Sequence, residues 1–183
     1  NPKTFEYVFD NEVFKFTTDH GVFSMDHVDY GTYVLLKAIY RKALGNKILD
    51  LGCGFGPIAI IIGRFHKDAL IDMVDVNTRA LELCQANALQ NCISATAYLT
   101  DNILSLNKQY NTVILNPPIR AGKSLIFDLY AKAHEVLEED GHLYIVILKR
   151  QGAQSSLNKL LELFRSVQLI AKDCGYWIIE AQK

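Results

Sequence analysis

One apolar segment of the sequence ends on residues that could do chemistry. In the stretch NTVILNPPIRAGK, an uncharged run of Val, Ile and Leu is followed by Asn116, Pro117 and Pro118. Proline fixes its own φ and restricts the residue before it. The Asn116 side-chain oxygen and the Pro117 backbone carbonyl would therefore form a rigid pair of hydrogen-bond acceptors. An Asn-Pro turn is also a frequent loop initiator, so this motif alone favours a structural role.

A glycine-rich segment, DLGCGFGP, offers a second candidate site. Gly52, Gly54 and Gly56 follow the apolar segment KILDL and permit a tight turn and close approach of a ligand to the backbone. The dinucleotide fingerprint places its third glycine three residues after the second, and Pro57 occupies that position here. Asp50, two residues before the first glycine, favours a ligand that carries a cation or an amine.

Two carboxylates fall at the ends of further predicted strands. Asp75 ends the apolar segment LIDMVD, and Asp101 follows the segment ATAYL. A carboxylate can accept hydrogen bonds from two vicinal hydroxyls at once. Either residue alone could instead cap a helix or a turn. Three polar features at three successive strand ends nevertheless indicate a cofactor site.

The elements that must position these residues alternate along the chain from residue 45 onward. The patterns predict strands at 47–51, 70–76, 95–99, 112–116 and 142–148, helices at 57–65, 78–91, 124–139 and 155–164, and a closing hairpin at 167–172 and 176–182. Gly141 is the predicted stop of the third of these helices. We expect an α/β fold with a doubly wound, seven-stranded, mostly parallel sheet and a C-terminal antiparallel hairpin. Such sheets bind ligands at the carboxyl ends of their strands.

The first 44 residues stand apart from this alternation. The segment FEYVFDNEVFKFTT predicts a hairpin that turns at Asp10-Asn11, and GVFSMDHVDYGT leads into a helix at 33–44. We interpret residues 1–44 as a small extension, a lid or an edge, of one domain that spans residues 1–183.

Composition narrows the function classes. The 183 residues carry a net charge of −1 and a pI of about 6.6, so any contact with a polyanion must come from a local patch. The four cysteines form no zinc-type spacing; we expect free, buried thiols in a reducing cytoplasm and no metal. No apolar run reaches the length of a membrane span, and the polar N-terminus shows no signal peptide. The chain begins with Asn rather than Met, and we allow for residues that precede it.

Taken together, D-x-G-x-G-x-G after strand one, an acid after strand two and N-P-P after strand four resemble the class I S-adenosylmethionine-dependent methyltransferases, which have a Rossmann-like fold. This resemblance implies S-adenosylmethionine as cofactor. It implies that Asp50 and the loop Gly52 to Gly56 hold the methionine part, Asp75 the ribose hydroxyls, Val76 and Asp101 the adenine, and that Asn116 borders the cofactor.

A methyltransferase of this kind needs its acceptor beside the sulfonium, at the end of strand four. An exocyclic amine of a purine or pyrimidine is a poor nucleophile because its lone pair is delocalised into the ring. Two acceptors that take both N–H hydrogens orient the lone pair and favour a tetrahedral amine. Asn116 and Pro117, fixed by the double proline, would be such a preorganised clamp.

Three longer sequence motifs point to a narrower group within this class of methyltransferases. GVFSMDHVDYGT, DLGCGFGP and NPPIRAGK resemble the small-subunit ribosomal RNA guanine-N2 methyltransferases and their single-domain bacterial relatives. This implies that Asp29, Gly31 and Thr32 lie at the cofactor rim, although Thr32 could equally belong to a helix start. Amino-methyltransferases share an aromatic residue after N-P-P, which stacks on the target base. Ile119 stands there and weakens an assignment to adenine-N6 or glutamine methylation.

Basic residues follow strands four and five: Arg120, Lys123, Lys149 and Arg150. They could bind RNA phosphates or could be an ordinary solvated rim. Tyr30 and Tyr33 could stack on a base, but helix packing is the favoured use. A guanine would have to leave its stack to reach Asn116.

The sequence therefore predicts a methyltransferase that acts, without a metal, on an RNA amine, with guanine N2 of small-subunit ribosomal RNA favoured. Three alternatives stay open. The acceptor could be a protein glutamine or a DNA adenine. The chain could be a nicotinamide oxidoreductase, against which Pro57 argues. It could also be a non-catalytic RNA-binding module, against which the intact Asn-Pro-Pro motif argues.

Overall fold

The fold is described from a computed structural model, which covers residues 1–19 and 27–183. Two N-terminal strands, β1 (Lys3–Phe9) and β2 (Glu12–Thr18), are followed by seven more: β3 (Lys47–Leu51), β4 (Leu70–Asp75), β5 (Thr96–Leu99), β6 (Tyr110–Leu115), β7 (Leu137–Leu148), β8 (Ser166–Asp173) and β9 (Tyr176–Gln182). The α-helices are α1 (Tyr30–Ile39), α2 (Pro57–Phe65), α3 (Thr78–Gln90), α4 (Lys123–Val136) and α5 (Ala153–Leu163). Residues 21–26 of the predicted motif GVFSMDHVDYGT lie outside the described residues.

The later strands form one seven-stranded sheet in the order β5-β4-β3-β6-β7-β9-β8. Strands β3 to β7 pair in parallel, and β9 is antiparallel to both of its neighbours. The prediction of a doubly wound, mostly parallel sheet with a C-terminal antiparallel hairpin is therefore confirmed. The strand order reverses between β3 and β6, and the carboxyl ends of these two strands are where such a sheet binds a ligand.

Helices cover both faces of the sheet because alternate strand residues point to opposite faces. On β3, Ile48 joins the core formed with α1, α2 and α3. Leu49 and Leu51 join the second core, formed with α4 and α5. Asp50 shares a face with Ile48, which explains how a carboxylate at the end of an apolar strand comes to lie under the start of α2.

The boundary between α4 and β7 differs from the prediction. The helix was expected to run to residue 139 and stop at Gly141, but it ends at Val136 and β7 begins at Leu137. Leu137 is fully buried and pairs with Tyr110, so burial draws the chain into the sheet early. Gly141 is needed for a different reason: a Cβ there would lie 2.9 Å from the Glu138 carbonyl oxygen and 3.0 Å from that of Asn111.

Two other helices are displaced from their predicted bounds. Helix α1 begins at Tyr30 rather than at residue 33, because the Asp29 side chain caps its first turn, and it ends at Ile39 rather than at residue 44. Helix α5 begins at Ala153 rather than at residue 155. The earlier start of α1 matters for the site, since it places Thr32 inside the first turn of the helix.

The N-terminal hairpin turns at Asp10-Asn11 as predicted, with both residues at positive φ. Its second strand docks against α3 through two asparagine side chains. Asn87 accepts a hydrogen bond from the Thr17 N–H and donates to the Thr17 carbonyl, and Asn91 makes the same pair of bonds with Lys15. Asn87 also donates to the carbonyl of Phe55 in the glycine loop at 2.8 Å. One buried amide therefore connects the hairpin to the candidate cofactor site.

All four cysteines are free, as expected, but only two are buried. Cys53 and Cys84 are buried, with sulfur atoms 3.8 Å apart, whereas Cys92 and Cys174 are exposed. The expectation of buried thiols is thus wrong for Cys92 and Cys174, which both lie in surface turns at positive φ. Within the described part of the chain, none of the helices has the length and apolar character needed to cross a membrane.

Replacing Asn87 tests this docking. Asn87→Ala leaves the backbone groups of Thr17 and the Phe55 carbonyl without their buried partner, so we expect the free energy of unfolding to fall by about 2–4 kcal/mol in urea titrations. Gln85→Ala, at an exposed position of the same helix, is the control and should change it by less than about 0.5 kcal/mol. Equal stabilities for the two variants would show that the amide does not hold the hairpin.

Candidate active site

The parallel pairing of β3 with β6 brings the two candidate motifs together. Leu51, the last residue of β3, is in register with Leu115, the last residue of β6. The glycine loop therefore starts at Gly52 beside Asn116, at the same level of the sheet. The sequence placed both motifs at strand ends, and the strand order makes those ends neighbours.

The glycine loop is held by hydrogen bonds to β4. The N–H groups of Gly52 and Cys53 donate to the Val74 carbonyl, and the Gly54 N–H donates to the Asp75 carboxylate at 2.8 Å. Gly52 and Gly54 have φ values of +75° and +55°, which side chains of L-residues rarely adopt. A Cβ on either would meet no atom within 4 Å, so both face open space. A ligand could therefore approach the backbone of the loop closely at both positions.

Neither predicted carboxylate at the neighbouring strand ends is a helix cap. Asn77 caps α3, while Asp75 accepts from the Asn77 N–H and from Gly54. Asn102, not Asp101, caps the short 3-10 turn that follows β5. Asp101 is exposed beside this turn, and the apolar side chain of Val76 is 69% exposed. Asp75 thus joins the glycine loop to the start of α3 through two backbone hydrogen bonds, while Asp101 and Val76 are open to a ligand.

Asp50 is a buried carboxylate at this site, and its pKa is strongly raised. It is 1% exposed, and one of its oxygens, Oδ2, accepts from the Ala59 N–H of α2 at 3.0 Å. The other oxygen, Oδ1, has no hydrogen-bond partner among the described residues. Burial, reinforced by the charge of Asp75 and opposed by the Ala59 hydrogen bond, raises the pKa of Asp50 to about 7. A buried carboxylate with a free acceptor oxygen suits a ligand that brings a cation or an N–H donor.

These features fit the cofactor that the sequence resemblance implies. Asp50 has an oxygen to spare for the amino group of the methionine part, and the loop Gly52 to Gly56 leaves space along its backbone. Asp75 still has acceptor capacity for ribose hydroxyls after its two backbone bonds. Val76 offers exposed apolar surface, and Asp101 an exposed carboxylate, for the adenine.

Asn116 is oriented by a contact that sequence reasoning missed. Its side-chain Nδ2 donates to the Thr32 Oγ1 at 3.1 Å, across 84 positions of sequence. Thr32 is buried in the first turn of α1, and its own N–H donates to the capping side chain of Asp29. This bond directs the amide nitrogen toward α1 and leaves the Asn116 oxygen free to accept. Only the string VDYGT, read as the start of a helix beside the site, could have signalled it.

The second predicted acceptor is the backbone carbonyl of Pro117, a buried residue. The next two carbonyls are taken, since Pro118 accepts from Ala121 and Ile119 from Gly122. Among the described residues, none donates to Pro117. Ile119 begins a short 3-10 turn and is half-buried against the core on the α4 side, where an aromatic residue would be expected in related motifs.

The predicted basic residues lie at or just before the starts of α4 and α5, and these two helix starts meet. Lys123, the first residue of α4, donates from its Nζ to the Ser155 hydroxyl of α5 at 3.3 Å. Arg120, Lys149 and Arg150 are exposed.

The β8–β9 turn is also part of this edge, although no sequence pattern indicated it. The Lys149 N–H donates to the Gly175 carbonyl at 2.8 Å. A depression of about 440 Å³ is lined by Leu148, Lys149, Arg150, Cys174 and Gly175.

Comparisons with known proteins identify the family of the chain. The model of the family "Methyltransferase small domain" matches residues 13–180, and the chain belongs to that family. Membership confirms the resemblance to S-adenosylmethionine-dependent methyltransferases of the Rossmann-like fold. The uncharacterized protein YbxB of Bacillus subtilis (strain 168) is 41% identical over 186 residues, covering 100% of this chain and 92% of its own.

More distant relatives have assigned substrates. The ribosomal RNA small subunit methyltransferase C of Colwellia psychrerythraea is 30% identical over 166 residues, which are 88% of this chain but 45% of that protein. A solved structure of the Thermus thermophilus 16S rRNA N2 G1207 methyltransferase, in complex with AdoMet and guanosine, aligns with a TM-score of 0.89 at 22% identity. It covers 100% of this chain and 50% of its own, and it shows a shared fold. The chain thus spans about half the length of these two proteins.

The raised pKa of Asp50 makes stability depend on pH. Since its pKa is higher in the folded protein than in the unfolded chain, its contribution is fully present below about pH 4 and is lost as pH rises through about 7. The free energy of unfolding should fall by up to about 4 kcal/mol from this group over that range. Asp50→Asn should remove this slope in urea titrations between pH 4 and pH 8.

Asp50→Asn should also weaken S-adenosylmethionine binding in calorimetric titrations, because the charge is lost. Glu82→Gln, an exposed charge change on α3, is the control. An unchanged slope together with unchanged affinity would contradict both roles of Asp50.

Proposed function

We propose that this protein transfers a methyl group from S-adenosylmethionine to an exocyclic amine of RNA, and that the amine is N2 of a guanine in small-subunit ribosomal RNA. The observation that carries the proposal is the pair of free acceptors at the end of β6, the Asn116 oxygen and the Pro117 carbonyl. They lie beside the glycine loop at the end of β3, and the Thr32 hydroxyl fixes the amide.

The cofactor supplies, when bound, an electrophilic methyl group on a sulfonium. This chain's residues would hold it along the ends of β3, β4 and β5. Asp50 would accept the amino group, the loop Gly52 to Gly56 would approach the methionine part through its backbone, and Asp75 would accept the ribose hydroxyls. Val76 and Asp101 would contact the adenine.

The acceptor amine would be activated by position rather than by a strong base. Both N–H hydrogens of a planar amine donate to the clamp, one to Asn116 and one to Pro117. This removes the lone pair from conjugation and directs it at the methyl group. The methylated ammonium that results is acidic and loses its proton readily, so no buried general base is required.

Thr32 decides which atom of the Asn116 amide faces the acceptor. Because its hydroxyl accepts from the amide nitrogen, the amide oxygen is presented to the substrate. A reversed amide would present a donor to the amine hydrogens and would repel them. We therefore assign Thr32 as a positioning residue for Asn116 in addition to its predicted place at the cofactor rim.

These basic residues would hold the RNA backbone, and two features support this role. Arg120, Lys123, Lys149 and Arg150 are exposed around the starts of α4 and α5, which the Lys123–Ser155 contact joins. Helices α4 and α5 start there at glycines and have no side-chain cap, so their free N–H groups add to the positive potential. Ile119 would contact the substrate base only as an apolar surface.

The choice of guanine N2 rests on the strings that resemble that family and on the relatives' assigned substrates. The labelled test is direct. The protein is incubated with S-adenosylmethionine carrying a labelled methyl group and with unmodified small- or large-subunit ribosomal RNA, either naked or assembled, and the nucleosides are identified by mass spectrometry. We expect N2-methylguanosine from the small-subunit RNA. Label in N6-methyladenosine, in glutamine or in large-subunit RNA alone would contradict the proposed substrate.

The clamp itself is tested by Asn116→Ala. Loss of one preorganised acceptor should lower kcat by at least about 100-fold, while the affinity for S-adenosylmethionine in calorimetric titrations stays within about threefold. Thr32→Val, which keeps the shape but not the hydroxyl, should also lower kcat, and Thr32→Ser should restore it. Normal methylation by Asn116→Ala would show that the amide is not an amine clamp.

A further inference from the structure

We propose that Tyr30 is a stacking surface for a nucleobase next to the target nucleotide, and that the protein therefore binds a single-stranded segment of its substrate. This rests on the proposed RNA substrate but not on the methylated atom. Ile119 stands where related enzymes carry a stacking aromatic, and Tyr30 provides an exposed aromatic surface at the start of α1, two residues before Thr32.

Tyr30 is an exposed aromatic residue that is nevertheless anchored. It is the first residue of α1 and is 44% exposed. Its hydroxyl donates to the Asp173 carboxylate in the β8–β9 hairpin at 2.7 Å. This hydrogen bond, with Asp173 as acceptor, raises the pKa of Tyr30 to about 12, so the phenol stays neutral at physiological pH. The sequence interpretation of Tyr30 as a helix-packing residue does not account for this exposure.

Two further tyrosines support the Tyr30 ring. The Tyr33 ring lies 5.6 Å from it at 36°, and the Tyr176 ring lies 6.1 Å from it at 50°. Tyr33 in turn packs edge-on against the buried Phe9. Gly31 permits this arrangement, because a Cβ there would lie 2.7 Å from the Tyr176 ring. The exposed ring is therefore held in place before any ligand arrives, which lowers the entropic cost of stacking on it.

The position of Tyr30 indicates a flanking base rather than the target base. Tyr30 precedes Thr32 by two residues, and the Thr32 hydroxyl holds the Asn116 amide. Side chains two apart on a helix point in different directions. The Tyr30 side chain therefore does not point where Thr32 points, toward the amine clamp, and a base stacked on it would be a neighbour of the target.

Charge next to Tyr30 favours nucleic acid over an apolar protein partner. Asp173, which anchors Tyr30, immediately precedes Cys174 and Gly175, and these line the depression shared with Lys149 and Arg150. An aromatic surface beside cations that follow the backbone is the general pattern for binding single-stranded nucleic acid. Lys149 and Arg150 are the charged residues that line the depression, while the Asp173 carboxylate keeps its charge and holds the Tyr30 hydroxyl at its border.

The test measures binding, not methyl transfer. Single-stranded oligoribonucleotides with one abasic position, moved along the strand, are titrated against the wild type and Tyr30→Ala by fluorescence anisotropy. We expect Tyr30→Ala to weaken binding of the intact strand about tenfold, within the range for loss of one stacked base. One abasic position should weaken wild-type binding by a similar factor and should not weaken Tyr30→Ala further. Tyr30→Phe, which keeps the ring, should bind within about threefold of wild type.

Two controls keep the result interpretable. Tyr98→Ala, on the far edge strand β5, should bind RNA like the wild type, and S-adenosylhomocysteine affinity reports the fold of each variant. Wild-type binding by Tyr30→Ala overturns the inference, as does a loss that is equal for every abasic strand, which would indicate a general electrostatic or folding effect. Methylation of guanine N2 with undisturbed binding by Tyr30→Ala would overturn this inference alone. Stacking at Tyr30 without any methylation would overturn the proposed reaction alone.

Discussion

The pairing of Leu51 with Leu115 in adjacent parallel strands is the constraint on which the site depends. It sets the glycine loop and the Asn-Pro-Pro motif at one height on the same edge of the sheet. A shift of two residues in this register would keep the side chains on their faces but would move the amide along the strand by about 7 Å. The large apolar cores on both faces of the sheet oppose such a shift, because every residue of β3 after Lys47 is buried. The packing of the two cores therefore also maintains the geometry of the site.

Much of this arrangement could be predicted from the sequence, because the strongest signals are local. The sheet could be predicted from its apolar runs and from the glycines between them. The places of Asp50, Asp75 and Asn116 could be predicted because these residues lie at or next to strand ends. The predicted end of α4 was wrong because Leu137 pairs in the sheet with Tyr110, which lies 27 positions earlier in the chain. Local pattern contains no information about such a partner.

The contacts that orient the site were missed for the same reason. Thr32 reaches Asn116 across 84 positions, and Asn87 reaches Thr17 across 70. A threonine in a helix start and an asparagine within a helix carry no local sign of a distant partner. Such polar side chains in protein interiors are explained only by the three-dimensional fold, where their hydrogen bonds can be counted.

The two asparagines of α3 have a consequence beyond docking. An unpaired strand edge is a template for pairing with another chain. On β2, the outward N–H and carbonyl groups of Lys15 and Thr17 are occupied by Asn91 and Asn87 in place of a further strand. The side chains of a helix therefore terminate this small sheet, and they deny its edge to intermolecular strand addition and to aggregation.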